Sequence, residues 1–302
     1  MNKRLWIIGI IVALGTSTLA QAADQPQPKP PQAAAKAARP TDMQIHRDLE
    51  YVAGGHVRNK LDLYLPAQAD QPLPVIVWIH GGGWYAGSKE GCPAIPLVAK
   101  GYAVASINYR FSQHALFPAQ IEDCKAAIRW LRANAKKYHL DAGHVGVWGA
   151  SAGGHLVALL GTTGGAKDLE GTGGNLDQSS RVQCVVDWFG PTDFAKMGGW
   201  QDKPDSPMAK LIGGPVREKR ELAAKANPIT YLDKDSAPFL IMHGEEDKLV
   251  PMNQSEMLDE ALRKAGVEST LVRVAKNGHG GPGFTTAENW KKIEEFFAKH
   301  LK

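Results

Sequence analysis

Short, continuous apolar runs recur along this chain, and most are followed by enough sequence for a helix before the next begins. Val75-Ile76-Val77-Trp78-Ile79, Tyr102–Ile107, Val145-Gly146-Val147-Trp148, Val182–Phe189 and Phe239–His243 are brief and rich in β-branched and aromatic residues. A strand without polar alternation is buried on both faces, as in parallel sheets covered by helices on either side. Between the runs, Pro118–Tyr138 repeats Ile121, Cys124, Ile128, Leu131 and Ala135 at helical spacing. Ala152–Leu160 has the composition of a packed helix, and Glu288–His300 reads as a closing amphipathic one. Val57–Leu65 alternates at period two up to Pro66 and predicts a half-buried strand; Leu271–Val274 predicts the last strand. The expected class is α/β, a mostly parallel central sheet with helices on both faces.

The N-terminal segment differs. Lys3 and Arg4 precede an apolar stretch from Leu5 to Leu14, and Ala20-Gln21-Ala22 supplies small residues for cleavage. Residues 1–22 are therefore expected to be a secretory signal peptide. The apolar stretch is shorter than the ~20 residues of a spanning helix, so no stable membrane anchor is expected. Residues 23–41, dense in Pro, Gln and Ala, read as a linker, leaving residues 42–302 as one domain. The expected location is the periplasm or beyond. The formal net charge of +4 arises mostly in these leading residues: thirty basic and thirty acidic residues remain from Pro40 onward. A neutral body excludes a nucleic-acid binder, which needs a basic stripe on its folded part. Three scattered cysteines are too few for a disulfide framework, and no bridge is expected.

The chemistry concentrates in four loops that follow apolar runs. Gly149-Ala150-Ser151-Ala152-Gly153-Gly154 lies directly between the strand Val145–Trp148 and a helix. In that context a G-x-S-x-G sequence is a sharp turn exposing Ser151 as a nucleophile above the sheet edge. His80-Gly81-Gly82-Gly83-Trp84 follows Val75–Ile79, and its glycines leave unobstructed N–H groups. Gly82, Gly83 and Ala152 are the expected donors to an oxyanion. His80 is expected to support its loop through a hydrogen bond, and His155 to pack within the helix after Ser151. In the loop after Phe239–His243, G-x-x-D spacing favours Asp247 as the acid, ahead of Glu246 and, more distantly, Asp193. His279, in Asn277-Gly278-His279-Gly280-Gly281, follows the last strand and is the expected base.

No zinc-ligand spacing and no phosphate-binding loop occurs, and neither metal nor cofactor is expected. Asp168–Asp177 has oxygen donors but not the regular spacing of a calcium loop, and reads as a solvated Gly-rich loop. The long connections 161–181 and 198–228 are where a substrate cap could be built. Trp84, Tyr85, Trp188 and Met252, with Phe189 and Trp200, are the expected substrate-flanking residues.

The HGGGW, GASAGG, HGEEDKLVP and NGHGG loops resemble those of hormone-sensitive-lipase-like esterases of the α/β-hydrolase superfamily. Leu61-Asp62-Leu63-Tyr64-Leu65-Pro66, Asn108-Tyr109-Arg110 and Asp187-Trp188-Phe189-Gly190-Pro191-Thr192-Asp193 resemble exported bacterial acetylxylan/feruloyl esterase-like enzymes. The resemblance covers about Asp42 to Lys302. It implies hydrolysis of small-molecule or polysaccharide-borne carboxylic esters, with short-chain or aromatic acyl groups such as acetyl or feruloyl, and Ser151, Asp247 and His279 as the triad. A serine amidase or peptidase of the same fold, formamidase-like or prolyl-oligopeptidase-like, is the alternative. Because both long connections are rich in Gly, Pro and charge, the expected acyl pocket is short and open, favouring acetyl to butyryl groups.

Overall fold

The computed structural model describes residues 43–302. The expected signal peptide and linker both lie outside them. Eight strands form one sheet: β1 (Met43–Glu50), β2 (Lys60–Pro66), β3 (Leu73–Ile79), β4 (Ala103–Ile107), β5 (Leu140–Ala150), β6 (Cys184–Trp188), β7 (Phe239–Gly244) and β8 (Ser269–Val274). Their spatial order is β1-β2-β4-β3-β5-β6-β7-β8. The pairings of β2 with β1 and with β4 are antiparallel, and every pairing from β4 to β8 is parallel. The helices are α1 (Ala119–Ala133), α2 (Ala135–Tyr138), α3 (Ala152–Thr162), α4 (Pro207–Ile212), α5 (Arg220–Lys225), α6 (Asn253–Lys264) and α7 (Ala287–Leu301). This is the α/β-hydrolase fold, with a mostly parallel sheet.

Strand parity explains the unbroken apolar runs. Val75, Val77 and Ile79 enter a core closed by α1 and α3, whereas Ile76 and Trp78 enter one closed by α7. Alternate residues of β3 thus face two different cores, and both faces favour apolar side chains.

The structure departs from the sequence reading in several places, the unannounced strand β1 among them. The strand expected from Val57 begins at Lys60, because His56–Asn59 form a turn in which Val57 is 73% exposed. The helix expected over Pro118–Tyr138 breaks at Asn134, whose side chain bonds back to the Trp130 carbonyl (2.9 Å). Helix α6, amphipathic and anchored by Leu258 and Leu262, was not anticipated. Finally, the connection 161–181 builds no cap. It lies on α1, where buried Lys125 and Arg129 both pair with Glu170 (2.7 and 2.6 Å) and Arg129 donates to the Gly173 and Gly174 carbonyls. The expected solvated loop is a clasp whose cations are supplied by the protein. Among the described residues, no helix is long and apolar enough to cross a membrane.

Candidate active site

Ser151 stands between β5 and α3 with φ 58° and ψ −120°, a conformation that a residue with a side chain adopts only under strain. Close packing holds it there. A Cβ on Gly149 would strike the Gly153 carbonyl, and one on Gly153 would strike the Ile79 carbonyl, so neither position accepts a larger residue. The Ser151 N–H donates to the Trp188 carbonyl (2.8 Å), tying the turn to the end of β6.

From Ser151 a hydrogen-bonded relay runs inward. His279 Nε2 lies 2.8 Å from Ser151 Oγ, and His279 Nδ1 lies 2.7 Å from Asp247 Oδ2. A carboxylate accepts only, so the network assigns the proton to Nδ1 and leaves Nε2 to accept from the serine hydroxyl. Asp247 Oδ1 accepts from the Leu249 and Val250 N–H groups (2.8 and 2.9 Å). Burial alone would raise the Asp247 pKa, but hydrogen bonds from His243 and His279 hold it well below the usual carboxylate range. The buried His243 completes this anchorage. Its Nε2 faces the Val250 carbonyl (2.8 Å) and Asp247 Oδ2 (3.3 Å), and its Nδ1 faces Ser255 Oγ (2.7 Å) on α6.

The other acid candidates lie elsewhere. Glu246 is exposed, and Asp193 caps a 3-10 turn through Ala195 N–H while pairing with Lys196 (3.2 Å). Of the histidines named from the sequence, His80 does hold its loop, with Nδ1 2.7 Å from the Gly81 carbonyl. His155 is buried in α3 and donates from Nε2 to the Ala226 carbonyl (2.7 Å).

Gly82, Gly83 and Ala152 line one cleft with Ser151 and His279, and the cleft encloses about 360 Å³. Ala152 is the first residue of α3, where a helix leaves its N–H unpaired and the dipole favours negative charge. Positive φ at Gly82 (108°) and Gly83 (59°) turns the loop back on itself, and the Gly82 carbonyl accepts from the Tyr85 and Ala86 N–H groups. Trp84, Tyr85, Phe189 and Trp200 also line the cleft, and the Phe189 ring packs on the His279 imidazole at 4.6 Å between centroids.

Trp188 and Met252 do not line it. Trp188 shares the face of Cys184 and Val186, packs against Trp148 (4.8 Å) and donates its indole N–H to Met242 Sδ. Met252 precedes α6. The lining residues missed in the sequence include Met197, Pro207, Met208 and Leu249, brought in by loop packing that no local pattern announces. His243 was missed as well, although it sits in the same H-G-x-x-D run as the acid.

Comparison with known proteins gives a consistent picture. The BD-FAE family model matches residues 61–262. A probable carboxylic ester hydrolase of Mycobacterium tuberculosis, LipM, is 31% identical over 235 residues, covering 74% of this chain and 53% of that protein. This chain spans about half the length of the curated relatives it matches. Among solved structures, a truncated carbohydrate esterase from gut microbiota is 36% identical with a TM-score of 0.83, covering 88% of this chain and 98% of that one. A bifunctional GH43-CE protein of Bacteroides eggerthii is 41% identical with a TM-score of 0.81, covering 85% of this chain and 35% of that one.

Proposed function

The chain belongs to the BD-FAE family, an α/β-hydrolase esterase family, and on that premise we propose that it is a serine carboxylesterase acting on short acyl groups carried by sugars. The observation that carries the reading is the unbroken relay from Asp247 through His279 to Ser151, opening onto the cleft that Gly82, Gly83 and Ala152 line. Ser151 Oγ attacks the ester carbonyl carbon while His279 Nε2 takes its proton. The carbonyl oxygen becomes an oxyanion facing the N–H groups of Gly82, Gly83 and Ala152. Collapse breaks the C–O bond to the alcohol, which leaves with the proton from His279. Water then enters by the same route and frees the acid and Ser151. Asp247, kept ionised, stabilises the imidazolium that forms in both halves.

The substrate class is supported by the cleft and by the company this chain keeps. About 360 Å³ bounded by Trp84, Met197, Trp200 and Met208 suits a small acyl group better than a fatty chain. The similar solved proteins carry the names carbohydrate esterase and GH43-CE. We also propose that the protein is exported, on the strength of the charged and apolar pattern of residues 1–22. The deciding experiment compares kcat/KM for 4-nitrophenyl esters from acetyl to palmitoyl, alongside acetylated xylan, methyl ferulate, an aminoacyl anilide and N-formylkynurenine. A maximum at acetyl to butyryl and release of acetate from xylan are expected. Preference for the anilide or the formamide, or for palmitoyl, overturns the reading.

A further inference from the structure

Tyr109 and Arg58 take no part in the relay and do not line the cleft, yet both converge on the back of the glycine loop. The link is a single peptide group. The Gly81–Gly82 bond is trans, so its carbonyl and its N–H point in opposite directions. Whatever fixes the Gly81 carbonyl therefore fixes the aim of the Gly82 N–H. That carbonyl is held by His80 Nδ1 at 2.7 Å. A carbonyl oxygen only accepts, so the contact requires the proton on Nδ1 and leaves a lone pair on Nε2. Facing Nε2 at 3.3 Å is Arg58 Nη2, and a guanidinium only donates. The other tautomer would set a lone pair against a carbonyl and an N–H against a cation.

The surroundings make the arrangement stiff. Tyr109 stacks on the His80 ring (4.5 Å, 18°), and its hydroxyl donates to the His80 carbonyl (3.0 Å). Arg58 is itself held by the Tyr109 carbonyl (2.8 Å), Asn108 Oδ1 (3.2 Å) and the Phe111 ring, 3.5 Å away. It also donates to the Gly87 carbonyl (3.2 Å), closing the far end of the same loop. Burial pushes the His80 pKa down to about 4, so the ring stays neutral and its tautomer matters.

We propose that Arg58 is a positioning residue for ester hydrolysis: it fixes the Nδ1–H tautomer of His80 and thereby aims the Gly82 N–H at the oxyanion. The proposal rests on the reading that Gly82 is an oxyanion donor. The test uses the full chain labelled with ¹⁵N-histidine, in which NMR reports the His80 tautomer without substrate, its signal identified by loss in His80→Gln. The wild type should show Nδ1 protonated and Nε2 free. Arg58→Met should give mixed tautomers and lower kcat for 4-nitrophenyl acetate by ~10- to 100-fold, with KM changed less than about threefold. Arg58→Lys, which keeps a donor, should restore the tautomer and most of kcat. Nε2-protonated His80 in an active wild type overturns the role of Arg58 alone, as does unchanged kcat in Arg58→Met. Equal losses in both variants with the tautomer intact also overturn it. If Arg58→Met does not fold, the wild-type spectrum and Arg58→Lys decide. A wild type that turns over no ester overturns the proposed function, and the role of Arg58 with it.

Discussion

The cleft joins two regions built on opposite terms. Ser151, His279 and the glycine loop come from the carboxyl ends of parallel strands, and their positions are set by directed hydrogen bonds and backbone contacts at the limit of close approach. The wall formed by Met197, Trp200, Pro207 and Met208 comes from the connection after β6 and contributes apolar contact surface. Directed bonds fix a geometry to tenths of an ångström; dispersion contacts fix only a volume. On the proposed function, reaction chemistry and substrate size are therefore separable, and substitutions in the two regions should produce different kinds of change.

Ser151→Ala tests the first region most severely. It should lower kcat for 4-nitrophenyl acetate by about 10⁵-fold with the fold intact by circular dichroism, since members of such a relay act as a unit. Wild-type turnover in this variant would remove the distinction altogether. Next in size, Asp247→Asn should reduce kcat by about 10⁴-fold, because the amide disfavours the required His279 tautomer. Glu246→Gln, at an exposed position, should stay within about twofold of wild type. The reverse ranking would relocate the acid.

Met208→Ala probes the second region. Opening the pocket should shift kcat/KM towards octanoyl over acetyl by about tenfold, as each newly buried methylene is worth about 0.8 kcal/mol. Acetyl kcat should stay within about threefold, and the melting temperature should fall because Met208 is buried. A collapse of acetyl turnover would show that the two regions are coupled.

The smallest effect on turnover is expected beneath the elbow. Asp187 is buried, with Oδ1 accepting the Gly190 N–H (2.9 Å) and Oδ2 unpartnered among the described residues. Burial raises its pKa from an ordinary 3.8 to about 7, against the smaller opposing pulls of Gly190 N–H and His243. Between those values the folded chain binds more protons than the unfolded one, so this group makes stability fall as pH rises from about 4 to about 7. Asp187→Asn should remove that contribution. Urea midpoints at pH 5 and pH 8 should differ less in the variant than in the wild type, and an unchanged difference would refute the assignment.

The relay was legible because each of its members sits in a short loop beside an apolar strand, so local order reports spatial order. Asp247 needed only its spacing from Gly244 and the following Val250-Pro251. The pocket was not legible in the same way. Trp188 and Phe189 are neighbours in sequence and share one core, yet only Phe189, at φ 43°, also reaches the cleft and packs on His279. Lys125 and Arg129 hold the connection 161–181 against α1 through Glu170, an arrangement that no local pattern announces. Helix α6 was readable from Leu258 and Leu262 and was passed over.

The strained backbone at Ser151 has a consequence for how this sequence is retained over generations. A non-glycine residue at that φ and ψ costs roughly 1–3 kcal/mol, which glycine would largely relieve. Random substitution thus has a route at residue 151 that gains fold stability and abolishes the hydroxyl. On the proposed function, only selection for the reaction opposes it, so a population that stopped needing the reaction would lose this serine without a cost in backbone strain.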